Sequence, residues 1–207
     1  MPRPLAIAVF VSGEGTTLDG LSDRLAAAPI GAEIRIVLSD RPTAPALERA
    51  RRKGIETVAI PRRGASAEAW TRRATDALEL RGVELIVLAG FLSIIPPEFV
   101  DRWPGRIINL HPSLLPRFGG PGLYGARVHE AVLRSGAAET GVSVHVVTKE
   151  VDRGPVLLQR RVPVLRDDTP GSLRARLHPL EVDLLAEALE GFVRGRWPLP
   201  YAVPESE

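Results

Sequence analysis

An asparagine and a histidine lie two residues apart in the segment Asn109-Leu110-His111-Pro112. On an extended strand, residues at this spacing project from the same face, and Pro112 restricts His111 to extended backbone angles. An amide donor beside an imidazole that titrates near neutrality suits a carbonyl whose oxygen gains negative charge. A buried asparagine beside a core histidine is the alternative. The catalytic interpretation is favoured because Asn109 is the only asparagine among the 207 residues.

Asp152, in the segment Val151-Asp152-Arg153-Gly154-Pro155, is a third candidate. Aspartates in tight turns usually accept hydrogen bonds from their own backbone, so a structural role is the alternative here. If the fold brings Asp152 to His111, the carboxylate would raise the pKa of the imidazole and fix the orientation of the ring.

A glycine-containing loop, Ser12-Gly13-Glu14-Gly15-Thr16-Thr17, lies between a predicted strand and a predicted helix. Free N–H groups and the dipole at the start of a helix favour an anion. Leu18 replaces the third glycine of the dinucleotide fingerprint, and the lysine of a P-loop is missing. The loop therefore predicts a site for one phosphate group, with hydroxyls added by Thr16 and Thr17. A tight turn with a threonine cap is the alternative.

The other polar residues support weaker predictions. His145 lies in a predicted strand and faces either the site or the core, and His129 is expected to be structural. The sequence assigns no role to His178, and Asp40 is expected to be a turn residue because Arg41-Pro42 follows it. No cluster has the spacing of metal ligands, so we expect no metal.

Strand-like and helix-like segments alternate in the first half of the chain. Apolar runs predict strands, and amphipathic segments predict helices. The predicted strands are 5–11, 34–38, 57–60, 85–89 and 106–110, and the predicted helices are 16–28, 44–53 and 66–80, the last with Ser66 as its N-cap. Such alternation indicates a parallel sheet with helices on both faces, in which ligands bind at the carboxyl ends of the strands.

The second half has a different pattern. Residues 142–147 and 156–164 flank a turn and predict an antiparallel pair, and a helix is expected from Thr169 as N-cap. Its apolar stripe is Leu173, Leu177, Leu180 and Leu184, and Pro179 should kink or restart it. We therefore predict an α/β, single-domain, Rossmann-like sheet with a parallel N-terminal half and antiparallel strands in the C-terminal half. The domain is expected to span 1–196, with a phosphate-binding half (1–105), a catalytic half (106–196) and an extended tail (197–207).

Composition excludes several classes of protein. Hydrophobic residues make up 44% and charged residues 25% of the chain, as in globular domains. A net charge of +2 is too small for a charge-driven nucleic-acid binder. The absence of cysteine excludes thiolate catalysis. No apolar run is long enough for a membrane span and the start lacks a signal peptide, so we expect a cytoplasmic protein without membrane contact.

Five segments together resemble the phosphoribosylglycinamide formyltransferases, a folate-dependent family of purine synthesis. They occur in the family's order and extend the resemblance over roughly residues 5 to 190. The segments are Ser12-Gly13-Glu14-Gly15-Thr16, Leu88-Ala89-Gly90-Phe91-Leu92, Asn109-Leu110-His111-Pro112-Ser113-Leu114-Leu115-Pro116, Gly141-Val142-Ser143-Val144-His145 and Val151-Asp152-Arg153-Gly154-Pro155. The bare length favours this family over relatives that carry a further domain.

The resemblance implies transfer of a formyl group from 10-formyltetrahydrofolate, as co-substrate, to the amine of phosphoribosylglycinamide. It implies Asn109, His111 and Asp152 as catalytic residues, the substrate phosphate on Gly15, Thr16 and Thr17, and the ribose on Glu181. The folate would contact Asn109, the segment Leu92, Ser93, Ile94 and Ile95, and the loop Thr148, Lys149, Glu150, Val151 and Asp152. The partners are expected to be small-molecule substrates of a monomer or homodimer.

The sequence departs from the family pattern at several positions. Thr17 replaces an asparagine, Ser93 and Ala67 replace arginines, Val182 replaces a histidine, and the loop Phe118-Gly119-Gly120-Pro121-Gly122 is longer. Two other enzymes stay open, a formyltransferase acting on an amino-sugar nucleotide and a formyltetrahydrofolate hydrolase. A non-catalytic nucleotide-binding domain that uses Ser12 to Thr17 is the alternative from a different class.

Overall fold

Seven strands and six helices form the part of the chain, residues 3–204, that the computed structural model describes. The strands are β1 (Leu5–Val11), β2 (Ala32–Ser39), β3 (Glu56–Ala59), β4 (Leu85–Leu88), β5 (Ile107–His111), β6 (Glu139–Val146) and β7 (Val156–Pro163). The helices are α1 (Thr16–Ala27), α2 (Pro45–Arg52), α3 (Ala67–Glu79), α4 (Pro97–Arg102), α5 (Ala126–Arg134) and α6 (Pro170–Val193).

The strands pair in one mixed sheet of order β3-β2-β1-β4-β5-β6-β7. Strands β1 to β5 pair with one another in parallel, whereas β6 is antiparallel to both β5 and β7. The predicted fold class is therefore confirmed, including the change from a parallel to an antiparallel sheet. The carboxyl ends of β1, β4 and β5 consequently lie side by side at one edge.

Apolar residues on both faces of the central strands explain why helices cover both sides. On β1, Ile7, Val9 and Val11 pack into a core with α1, α2, α5 and α6. Ala8 and Phe10 point the other way, into a core with α3 and α4. This alternation follows from the period of two along a strand, and it produces the continuous apolar run of a fully buried strand.

Helix α6 begins with the predicted cap. The Thr169 side chain accepts a hydrogen bond from Ser172 N–H, and Ser172 Oγ accepts one from Thr169 N–H. Of the two outcomes expected at Pro179, a kink or a restart, the restart is wrong because the helix is continuous through this residue. A proline removes one backbone hydrogen bond, and buried leucines on both sides, Leu177 and Leu184, hold the helix against the sheet.

The end of the chain packs on the domain without forming a helix or strand up to residue 204. Trp197 packs against Phe192, with ring centroids 5.4 Å apart, and Tyr201 N–H donates to the Gly105 carbonyl. The last three residues of the predicted tail lie outside the described residues, and the division into halves at residue 105 stays a prediction. Within residues 3–204, no helix combines the length and apolar character that a membrane span requires.

Replacement of Leu177 by alanine should reduce the free energy of unfolding by about 2–5 kcal/mol, since this fully buried side chain packs between α6 and the sheet. Urea denaturation measures the change. Leu80→Ala is the matched control because Leu80 is 81% exposed, and it should change stability by less than about 0.5 kcal/mol. Equal effects of the two substitutions would contradict this description of the core.

Candidate active site

A cleft of about 430 Å³ opens at the carboxyl ends of β1, β4 and β5. The loop between β6 and β7 and one face of α6 complete its walls. The structure brings every residue predicted to act in catalysis or binding to this cleft. These residues are Gly15, Thr16, Thr17, Leu92, Ser93, Ile94, Ile95, Asn109, His111, Thr148, Lys149, Glu150, Val151, Asp152 and Glu181.

Asn109 is held by a histidine on the neighbouring strand. Because β5 and β6 are antiparallel, Asn109 lies directly opposite His145. Asn109 Nδ2 donates to His145 Nε2 at 3.0 Å, while His145 Nδ1 donates to the Val146 carbonyl at 3.0 Å. In the neutral ring His145 Nε2 is therefore the acceptor nitrogen, and it fixes the orientation of the Asn109 amide. The sequence alone was compatible with a His145 side chain that faces either the site or the core. The register of β5 and β6 places it in the site.

Asp152 lies at the centre of the polar cluster. Its Oδ2 accepts a hydrogen bond from Gly120 N–H at 2.9 Å, and its Oδ1 accepts a long one from Asn109 Nδ2 at 3.5 Å. The same carboxylate lies 3.7 Å from His111 Nδ1 and 3.6 Å from His145 Nε2. Asp152 has a positive φ of 57°, which aspartate tolerates better than most residues. The turn thus aims the carboxylate at the cluster.

The loop after β5 fixes the His111 ring. His111 Nε2 donates to the Phe118 carbonyl at 2.8 Å. In the neutral ring the proton therefore sits on Nε2, and Nδ1, which faces Asp152, is the basic nitrogen. Since Gly120 N–H bonds Asp152, two backbone groups of the segment Phe118 to Gly120 hold two of the predicted catalytic side chains. The longer loop of this sequence thus has a definite place in the site.

The pKa of His111 departs from the sequence expectation. Burial lowers the pKa of the imidazole, and the Asp152 carboxylate raises it by less, so the pKa lies below its ordinary value. Asp152 raises the pKa of His111 as expected, but burial outweighs this effect and the net shift is downward. Burial would raise the pKa of Asp152, but the nearby His145 and His111 rings and the hydrogen bond from Gly120 N–H hold it below its ordinary value.

The glycine loop leaves the first turn of α1 open to an anion. Helix α1 starts at Thr16, and its N-cap residue is Gly15, which has a φ of 74° and supplies no side-chain cap to the first-turn N–H groups. A Cβ at Gly15 would lie 2.5 Å from that of Ala46, so only glycine fits. The Thr17 hydroxyl donates to Glu181 Oε2 at 3.1 Å. It is therefore committed to Glu181, and the first-turn N–H groups are the better donors for a phosphate.

Helix α6 carries a polar stripe of which the sequence had pointed only to Glu181. Arg174, His178 and Glu181 all line the cleft, and their spacing of i, i+4 and i+7 is the signal that puts them on one face. His129 of α5, expected to be structural, is 3% exposed and also borders the cleft. No group of three or more histidine, aspartate or glutamate side chains within residues 3–204 is arranged to hold a metal ion.

Comparison with known proteins gives a consistent result. A family described as formyl transferase matches residues 5–189. A phosphoribosylglycinamide formyltransferase of Escherichia coli (strain K12) is 38% identical over 191 residues, which cover 92% of this chain and 88% of the relative. The chloroplastic phosphoribosylglycinamide formyltransferase of Arabidopsis thaliana is 36% identical over 201 residues, which cover 94% of this chain and 69% of the relative.

Solved structures agree with these relatives. The crystal structure of glycinamide ribonucleotide transformylase 1 from Symbiobacterium toebii has a TM-score of 0.88 and 35% identity, covering 96% of this chain and 92% of that one. A phosphoribosylglycinamide formyltransferase from Coxiella burnetii has a TM-score of 0.85 and 38% identity, covering 93% of this chain and 89% of that one.

Titration of His111 should give a pKa below the ordinary histidine value, because burial outweighs the charge of Asp152. Asp152→Asn should lower this pKa further, since it removes the group that favours the protonated ring. The measurement is NMR titration of the ring protons, with His111→Asn used to assign the signal. A pKa above the ordinary value, or one that rises in Asp152→Asn, would contradict the balance described for this site.

Proposed function

Since the chain belongs to the formyl transferase family, we propose that it transfers a formyl group to the amine of phosphoribosylglycinamide. The products are formylglycinamide ribonucleotide and the deformylated donor, in a step of purine biosynthesis. Curated relatives of this activity cover nearly the whole chain, and they do not favour the amino-sugar nucleotide enzyme or the hydrolase.

The observation that carries the proposal is the pairing of two kinds of site in one cleft. An uncapped helix start at Gly15 to Thr17 suits a phosphate monoester, and the cluster of Asn109, His111 and Asp152 suits a carbonyl that becomes an oxyanion. A substrate with a phosphate at one end and a nucleophilic amine at the other requires both. Glu181, hydrogen-bonded to Thr17 beside the loop, is placed to accept a ribose hydroxyl.

The formyl donor is 10-formyltetrahydrofolate in this proposal, acting as a co-substrate. Its ring system would lie against Leu92 to Ile95 and the Thr148 to Asp152 loop, which form the other wall of the cleft. Leu92 and Ile95 supply apolar surface for a flat heterocycle. A cytoplasmic location and a monomeric or homodimeric state stay predictions from the sequence.

Transfer proceeds by direct attack of the amine on the formyl carbon. A new C–N bond forms, the carbonyl oxygen becomes an oxyanion, and collapse of this intermediate breaks the bond to N10 of the donor. The Asn109 amide donates to the oxyanion; its second N–H makes only the 3.5 Å contact with Asp152, which is weak enough to be exchanged. The amine loses one proton in the reaction and N10 gains one.

His111 carries that proton. Burial keeps the ring neutral in the free protein, so Nδ1 can accept a proton from the attacking amine. The growing charge of the oxyanion raises the pKa of the ring, and Asp152 stabilises the imidazolium. His111 then returns the proton to N10 as that nitrogen leaves. A low pKa before the attack and a raised one during it suit a group that must both accept and release a proton.

Asn109→Ala should lower kcat by about 10²–10³, because it removes a donor to the oxyanion. Formation of tetrahydrofolate from 10-formyltetrahydrofolate, followed by absorbance, measures the rate. Leu80→Ala, remote and exposed, is the control and should keep the wild-type rate. A wild-type kcat in Asn109→Ala would overturn the assignment of the oxyanion donor.

The same assay separates the reactions that the sequence left open. Turnover that requires phosphoribosylglycinamide supports the proposal. Loss of the formyl donor without this acceptor would indicate a hydrolase, and turnover with an amino-sugar nucleotide in its place would indicate the other formyltransferase. Absence of turnover with every acceptor would favour a binding module.

Gly119→Ala should lower kcat by about 10- to 100-fold while the protein stays folded. The new Cβ would lie 2.4 Å from Leu115 Cδ2 and 3.1 Å from Asp152 Cβ. The Leu115 side chain must therefore move and Asp152 must give way by a few tenths of an ångström, and small displacements of catalytic groups are costly. Gly171→Ala is the matched control, since its Cβ would meet only Thr169 Oγ1 at 3.7 Å. Equal kcat values in the two variants would contradict the role of the segment around Gly119.

A further inference from the structure

Asp40 is a nearly buried carboxylate, 9% exposed, that follows the last residue of β2. The sequence predicted a turn aspartate, which would bond its own backbone. The structure instead directs both of its oxygens across the sheet edge. Asp40 Oδ1 accepts from Ser12 Oγ at 2.6 Å, and Oδ2 accepts from Ser93 Oγ at 2.6 Å. We call these three side chains the Ser12–Asp40–Ser93 bridge.

The bridge follows the order of the strands. Ser12 comes directly after β1, Asp40 directly after β2, and Ser93 lies in the segment after β4; these three strands are neighbours in the sheet. Ser12 is also buried, and its Oγ accepts a hydrogen bond from Leu92 N–H at 2.8 Å. A hydroxyl can donate and accept at once. Ser12 therefore connects Asp40 to the backbone of Leu92, the residue next to Ser93.

The two segments joined in this way have different proposed ligands. Ser12 immediately precedes the loop whose N–H groups would bind the substrate phosphate. Leu92 to Ile95 would contact the formyl donor, and this stretch has no helix or strand of its own. Its position therefore depends on tertiary contacts. Two of them are the hydrogen bonds from Leu92 N–H to Ser12 and from the Ser93 hydroxyl to Asp40.

Hydrogen bonds to a charged acceptor are stronger than those between neutral groups, and they matter more when buried. Removing the Asp40 carboxylate would leave two hydroxyls without their acceptor at a largely buried site. The segments on either side would then be free to shift relative to each other. Because the amine must meet the formyl carbon, such a shift would impair the binding of both ligands in their productive positions.

We propose that Asp40 is a positioning residue for both substrates, setting the distance between the phosphate loop and the donor segment through the bridge. This proposal rests on the proposed function, since it assigns one substrate to each segment. A merely structural Asp40 would lower the melting temperature when replaced but would leave KM unchanged, because KM does not depend on the fraction of protein that is folded.

The test is steady-state kinetics with 10-formyltetrahydrofolate and phosphoribosylglycinamide for the wild type, Asp40→Ala, Asp40→Asn and Ser93→Ala, with melting temperatures measured alongside. Asp40→Ala should raise KM for both substrates by about tenfold, the effect of losing a hydrogen bond to a buried charge. Asp40→Asn is the conservative control, because its amide can accept from one serine and donate to the other. Both of its KM values should stay within about threefold of the wild type.

Ser93→Ala keeps the proposal testable if Asp40→Ala does not fold. It breaks the bridge on the donor side alone, so KM for the formyl donor should rise by about threefold or more while KM for the acceptor stays the same. Wild-type KM values in Ser93→Ala, or in a folded Asp40→Ala, would overturn the positioning role. Absence of wild-type turnover with these two substrates would instead overturn the proposed function, and the role of Asp40 with it.

Discussion

The structure of the site depends on one buried carboxylate. Asp152 lies within 3.7 Å of a nitrogen of both His111 and His145, accepts a hydrogen bond from Gly120 N–H, and contacts the Asn109 amide. A carboxylate at this depth is tolerated only if its oxygens are satisfied. That requirement brings together the end of β5, strand β6, the loop at Phe118 to Gly120 and the β6–β7 turn. The proposed catalytic cluster and the local fold are therefore determined by the same contacts.

The sheet explains why this cluster shares a cleft with the proposed phosphate site. Parallel strands place all their carboxyl ends at one edge, so the loops after β1, β4 and β5 surround a single cleft. The change to antiparallel pairing at β6 then places His145 directly opposite Asn109 of β5. One edge of one sheet thus presents the proposed anion site, the proposed donor segment and the proposed acid–base cluster, the three features that a two-substrate formyl transfer needs.

Much of this could be predicted from the sequence. The alternation of apolar runs predicted the sheet, and the Asn-x-His spacing predicted two side chains on one face of β5. Other features depend on contacts that periodicity does not encode. The burial that lowers the pKa of His111, the capture of the Thr17 hydroxyl by Glu181 and the continuity of α6 through Pro179 all result from distant segments packing together. The place of Asp40 between Ser12 and Ser93 is of the same kind.

The most direct test of the account is a crystal structure of the protein with phosphoribosylglycinamide and a folate analogue that has no transferable formyl group. Phosphate oxygens are expected about 3 Å from the N–H groups of Gly15 to Thr17. The substrate amine is expected beside Asn109 and His111, facing the analogue along Leu92 to Ile95. A phosphate bound elsewhere in the cleft, or an amine out of reach of both side chains, would contradict the account.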